Sequence, residues 1–220
     1  MRLDQTLDAL ASPMANGANY FKDLVPQFIY DNLRSGFGRR EYQQEAFGRF
    51  AHYWERKGPD SPTQLLFHMA TGSGKTLIMA GLILYLYNQG YRNFLFFVNS
   101  TNIIEKTRDN FLNVRSSKYL FAEQVDIGYK KVRIKEVSNF QGANEDDINI
   151  VFSTIQGLHY DLNYPKENAL TYEDFESKEV VMISDEAHHL NTLTLSEAQK
   201  TAEEKDEVTS WEGTVRRIYE

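Results

Sequence analysis

The sequence predicts an α/β protein built on a parallel sheet, and three observations carry that prediction. Residues 65–69 form an apolar run that breaks into the glycine loop Ala70-Thr71-Gly72-Ser73-Gly74-Lys75-Thr76 and then into an apolar helical stretch. Two further apolar runs, 94–98 and 148–152, end in small polar residues that suit helix starts. A fourth run, 180–183, closes in Ser184-Asp185-Glu186. Apolar strands alternating with helical stretches are the pattern of βαβ units and a parallel sheet.

In chain order, residues 1–19 carry Ser12-Pro13 and Asn16-Gly17 and are expected to be loop or a frayed start. Residues 20–33 are expected to be helical, with Phe21, Leu24, Val25, Phe28, Ile29 and Leu33 near one face. Pro26 lies in their middle and suits the true start of that helix. A second helix is expected over 39–57, with Tyr42, Ala46, Phe50 and Tyr53 or Trp54 on its apolar side; Gly58-Pro59 and Pro62 then break the chain. The strand over 65–69 follows, then a helix over 77–89 that Gly90 stops. A buried strand over 93–99 leads to a helix opening at Ser100-Thr101-Asn102, where Asn102 and Glu105 have capping-box spacing. Residues 129–137 alternate apolar and basic, as a short strand with one wet face does. A third buried strand is expected over 147–155, and 160–177 reads as a connecting excursion. A strand over 179–184 ends in the carboxylates. Beyond Leu190 the chain is polar, with an amphipathic helix expected over 209–219.

The glycine loop carries the most specific chemistry. Gly72 and Gly74 permit backbone angles and close approach that a Cβ would block. Strand, glycine loop, Gly74-Lys75-Thr76 and helix is the order a phosphate-binding P-loop needs. The amides of Thr71, Gly72, Ser73 and Gly74, with the helix N-terminus, would hold a polyphosphate. Lys75 would reach its β- and γ-phosphates and Thr76 would hold Mg²⁺. Met69 stands where the strict pattern has a glycine. Asp185, at the carboxyl end of a strand, would face the same crevice and bind Mg²⁺. Glu186 would orient or deprotonate the attacking water. A transition-metal site using Asp185, Glu186, His188 and His189 is the competing reading, and oxygen ligands beside a phosphate loop favour Mg²⁺ over it. Gln43 has both a donor and an acceptor for an adenine edge, or is an ordinary helix residue. Ser100 and Thr101 at a helix start could bind a nucleic-acid phosphate, or simply cap that helix.

The bulk properties exclude several classes. The formal charge of −7 gives no global attraction to nucleic acid, although Lys106, Arg108, Arg115, Lys118, Lys130, Lys131, Arg133 and Lys135 concentrate in the middle of the chain. No cysteine is present, which rules out disulfides and thiolate metal sites and fits a reducing compartment. The first residues have no secretory pattern, and the longest apolar stretch, 77–87, is too short to span a bilayer. A soluble, cytoplasmic protein with no membrane partner is expected.

Taken together, these residues resemble superfamily 2 helicases and translocases. Arg40-Glu41-Tyr42-Gln43 looks like the Q-motif, Ala70 to Thr76 like motif I, and Val98 to Thr101 like motif Ia. Ser153-Thr154-Ile155-Gln156 looks like the Ib-type motif, and Asp185-Glu186-Ala187-His188 is a DEAH form of motif II. Phe67-His68-Met69 before motif I and His189-Leu190-Asn191 after motif II look most like the restriction subunits of type III restriction–modification enzymes; type I motor subunits and DEAH-type RNA helicases are neighbouring readings.

The resemblance implies a RecA-like first motor lobe over 39–220, stopping soon after motif II, behind a helical extension over 1–38. It implies ATP and Mg²⁺ as cofactors, with Lys75, Asp185 and Glu186 catalytic, Arg40 and Gln43 at the adenine, and Ser100, Thr101 and Thr154 at the DNA backbone. It implies a motor on double-stranded DNA that works with a methyltransferase subunit. Such motors complete their site with a second lobe and its arginine finger, so a nucleotide-binding piece without turnover is a further reading. The resemblance also places a strand between those of motifs I and II, which this stretch of chain lacks.

Overall fold

The computed structural model describes residues 3–11, 19–58, 63–164, 166–185, 214 and 217–218. These fall into two compact units, Met1–Tyr85 with Leu120–Ile127, and Leu86–Tyr119 with Gly128–Glu220.

The first unit opens with α1 (Leu3–Ala11), where the sequence predicted loop. Leu7 explains the difference: it is buried against Phe21, with Tyr20 and Leu24 around it, and such tertiary burial outweighs weak local signals. Pro26 divides the next expected helix into α2 (Tyr20–Asp23) and α3 (Gln27–Asn32), and its extended backbone caps the second. Then come α4 (Glu41–Arg56) and α5 (Lys75–Asn88), close to their expected spans. Two glycines let these helices touch. A Cβ on Gly48 of α4 would lie 1.6 Å from the carbonyl oxygen of Phe21, and a Cβ on Gly81 of α5 would lie 2.3 Å from the Phe47 ring. Phe50 of α4 meets Tyr85 edge-on.

Residues 65–69, expected as a strand, belong to no sheet. From 63 to 70 the residues alternate between half-buried and exposed, and Leu66 is 68% exposed. The alternation is that of a strand. A strand is completed by a neighbour's hydrogen bonds, however, and none lies beside this segment among the described residues.

In the second unit the chain runs β1 (Asn93–Val98), then α6 (Thr101–Leu112). Ser100 is the N-cap of α6, and Glu105 pairs with Arg108, so the expected Asn102–Glu105 capping box does not form. The chain returns to the first unit with β2 (Val125–Ile127), which Asn32 holds at its middle residue: Asn32 Nδ2 donates to the Asp126 carbonyl at 2.9 Å, and Asp126 N–H donates to Asn32 Oδ1 at 2.6 Å. A two-residue turn leads to β3 (Lys130–Val132). Then follow β4 (Ile134–Glu136), β5 (Ile148–Thr154), α7 (Ile155–Asn163), α8 (Tyr172–Ser177) and β6 (Val180–Ser184). Two elements stand where one strand was expected over 129–137, and two short helices where 160–177 read as an excursion. The second of these is fixed by Asp174, which is fully buried and accepts from Phe140 N–H and Thr171 N–H, each at 2.9 Å.

Four strands form one parallel sheet in the order β4-β5-β1-β6. All six residues of β1 are buried, as expected for a central strand covered on both faces. Its alternate residues serve different layers. Leu95 and Phe97 join Val151, Leu158, Leu162 and Leu170, while Phe96 meets Phe111 of α6 and Phe152 of β5. No helix among the described residues is long and apolar enough to cross a membrane.

Replacing Gly48 by Ala should drive α4 off the Phe21 carbonyl and cost ~1–3 kcal/mol or more of stability, measured by urea unfolding. His52 gives a pH test. It is buried, with Nδ1 3.0 Å from both Arg56 Nη1 and Tyr20 Oη. Burial first, and then the Arg56 charge, hold its pKa below the usual 6.5. The unfolded chain therefore takes up the proton more readily. Its stabilisation is complete above pH 6.5 and lost as pH falls below it. Thermal melts should show that loss, and His52→Gln should flatten the curve there.

Candidate functional site

Helix α5 begins at Lys75, so the Ala70–Thr76 loop ends on a helix N-terminus with no acidic residue in the first turn. The positive end of its dipole is therefore not offset by a local carboxylate, which suits an anion. Gly72 has φ +76° and Gly74 has φ +91°, the left-handed angles for which glycine is suited. Ser73 folds the loop back on itself, its hydroxyl donating to the Ala70 carbonyl at 2.6 Å. Lys75 Nζ donates to the Met69 carbonyl at 3.4 Å and spans the mouth of the loop. The residue that departs from the usual glycine thus contributes through its backbone oxygen.

The loop is tied to the start of α4. Gln43, 4% exposed, donates through Nε2 to the Ser73 carbonyl at 3.0 Å. The Tyr42 hydroxyl donates to the same oxygen at 3.0 Å and accepts from Arg40 Nη1 at 2.9 Å. Gly74 also belongs to this contact: a Cβ there would lie 2.7 Å from Gln43 Nε2. Arg40, Gln43, Ser73 and Gly74 were all expected at one site, and within this unit they do come together. Tyr42 was expected on an apolar helix face and within the Arg40–Gln43 motif, but not among the site residues; its position between Arg40 and Gln43 was the available signal.

In the second unit the strand register lines up the other expected residues. Val98 pairs with Thr154, and Phe97 pairs with Ser184. The carboxyl ends of β5, β1 and β6 therefore lie side by side, presenting Thr154, then Ser100 and Thr101, then Asp185. Open α/β sheets bind ligands at this edge. Thr101 is exposed and starts α6, and Thr154 Oγ1 caps α7 by accepting from Gly157 N–H at 2.9 Å. Asp185 is half-buried, and Glu186, His188 and His189 lie outside the described residues.

Four of the eight residues of the basic stretch are matched by carboxylates. Arg108 pairs with Glu105 and Glu136, Lys130 with Asp146, and Arg133 and Lys135 with the buried carboxylate of Asp147. Burial raises the pKa of Asp147, but its bonds to Lys135 and Arg133 more than offset this and hold it below the usual carboxylate value. A cavity of about 280 Å³ in this unit, lined by Glu136, Ser138, Phe152, Ser153 and Asp161 among others, was not foreseen.

Comparison with known proteins gives the same direction as the motifs. The family model described as type III restriction enzyme, res subunit, matches residues 37–211. The probable type III restriction-modification enzyme HindVIP Res subunit of Haemophilus influenzae is 41% identical over 182 residues. That match takes in 80% of this chain and 35% of the relative, so the chain spans about a third of that protein's length. No solved structure matches. The four-stranded parallel sheet with flanking helices agrees with a RecA-like fold for this family.

The shared Ser73 carbonyl predicts non-additive energetics. Tyr42→Phe or Gln43→Ala alone leaves that oxygen one donor, whereas the double variant removes both. A double-mutant cycle in urea should show the pair costing ~0.5–2 kcal/mol more than the sum of the singles.

Proposed function

The chain belongs to the family of type III restriction enzyme Res subunits, and on that premise we propose that it is the ATP-binding part of a motor working on double-stranded DNA. The family implies a helicase-like ATPase. The observation that carries the finer reading is the glycine loop, with Gly72 and Gly74 at positive φ on the start of a helix that has no acidic residue in its first turn. We assign the loop amides of Thr71 to Gly74 to the phosphates and Lys75 to the β- and γ-phosphates. Arg40 and Gln43 are assigned to the adenine, with the Gln43 amide shared between base and loop.

The metal assignment rests on the sequence pattern. Thr76 and Asp185 supply a hydroxyl and a carboxylate, hard oxygen donors that suit Mg²⁺. Bound there, Mg²⁺ would neutralise phosphate charge. Glu186 is assigned to the attacking water. Residues 39–220 then form the motor lobe and 1–38 its helical extension. Ser100, Thr101 and Thr154, neighbours on the carboxyl edge of the sheet, are assigned to the DNA backbone. A methyltransferase subunit that reads the recognition sequence is the proposed partner, in the cytoplasm.

One observation favours a narrower reading of the chain alone. It spans 35% of its relative, and motors of this type hydrolyse ATP between two lobes. Binding without turnover is therefore the expected behaviour of this stretch by itself.

Calorimetry with Mg-ATP tests the assignment. The wild-type chain should bind, and Lys75→Ala should lose at least tenfold in affinity, about 1.4 kcal/mol. Equal affinity in a folded variant would remove Lys75 from the site. ATPase assays with and without duplex DNA then separate a working motor from a binding lobe.

A further inference from the structure

The turn between β2 and β3 does something its own stability does not need. Gly128 has φ +60° and Tyr129 has φ +67°, the signature of a type I′ hairpin turn. Glycine or asparagine suits such positions, and a bulky residue there is strained. Tyr129 is also 109% exposed, so its ring buries nothing that would offset the strain. On its own side of the turn, Val132 of β3 is buried, while Lys130 and Lys131 are exposed. The chain therefore holds an aromatic ring out into solvent at a strained backbone position.

The charges beside the ring indicate what it meets. Residues 128–135 contain Lys130, Lys131, Arg133 and Lys135 and no acid. Lys130 is matched by Asp146, and Arg133 and Lys135 by Asp147. Lys131 is exposed and carries no ion pair among the described residues. An exposed flat ring two residues from an unmatched ammonium is the chemistry of nucleic-acid strand contact, with the ring on a base or sugar and the cation on a phosphate.

We propose that the tip of the β2–β3 hairpin, Tyr129 with Lys131, is a contact point for a nucleic-acid strand. It rests on the reading of this chain as part of a nucleic-acid motor, and it adds a site away from the sheet edge already assigned.

The test is fluorescence anisotropy of the full chain with a labelled DNA duplex and with one of its strands alone, at several salt concentrations. Tyr129→Gly removes the ring and relieves the strained φ. It should leave the melting temperature undiminished while weakening binding by about fivefold or more. Tyr129→Phe should retain binding. Lys131→Ala should reduce the slope of log affinity against log salt by about one. Preference for the single strand would put the ring on an exposed base, and preference for the duplex would put it in a groove. Unchanged affinity in a folded Tyr129→Gly variant overturns the proposal. So does a wild-type chain that binds neither DNA form. Mg-ATP binding distinguishes the two failures: if it persists while DNA binding is absent, the hairpin assignment fails and the nucleotide assignment stands.

Discussion

The close approach of α4 to its neighbours is the constraint on which the first unit depends. Gly48 admits the Phe21 carbonyl, and Gly81 admits the Phe47 ring. Both contacts use space that any Cβ would occupy, so α4 has little freedom to shift or rotate. The consequence reaches the candidate site. Tyr42 and Gln43 lie at the start of α4, and the loop they bond leads directly into α5. Helix packing and loop geometry are thus parts of one arrangement, with steric exclusion at one end and hydrogen bonding at the other.

The second unit follows a different rule. Its order comes from a central strand buried on both faces, with aromatic and aliphatic residues assigned to opposite layers by the two-residue period. Asp174 enters this core with its partners supplied by the backbone. Fully buried, it is satisfied by two backbone amides and so anchors α8 to the segment around Phe140.

Much of this was legible in the sequence. Strands β1, β5 and β6 and helices α4 and α5 follow from apolar runs and their punctuation, because burial on one or both faces leaves a periodic trace. The glycine loop was legible because the residue types it needs are few. What escaped depended on distant partners. Helix α1 is short, and Leu7 gains its meaning only beside Phe21. Helix α8 rests on Asp174 reaching Phe140, a contact across 34 residues. Residues 65–69 have the composition and the alternation of a strand, but strand pairing is a property of two segments, and sequence reading supplied only one. Gln43 was ambiguous for the same reason: nothing local says that its amide meets Ser73.

The register of the parallel sheet also limits how its carboxyl edge can move. Strands are locked by a ladder whose step is roughly 3.3 Å, and a slip of one residue would turn every side chain of β1 to the opposite layer. Because both faces of β1 are packed, that inversion would force both layers to repack. Sliding of strands is thereby closed as a means of communication between Thr154, Ser100 and Asp185. Any signal along that edge must pass through the starts of helices and the turns that follow the strands, while the strands themselves act as a fixed ruler against which those movements are measured.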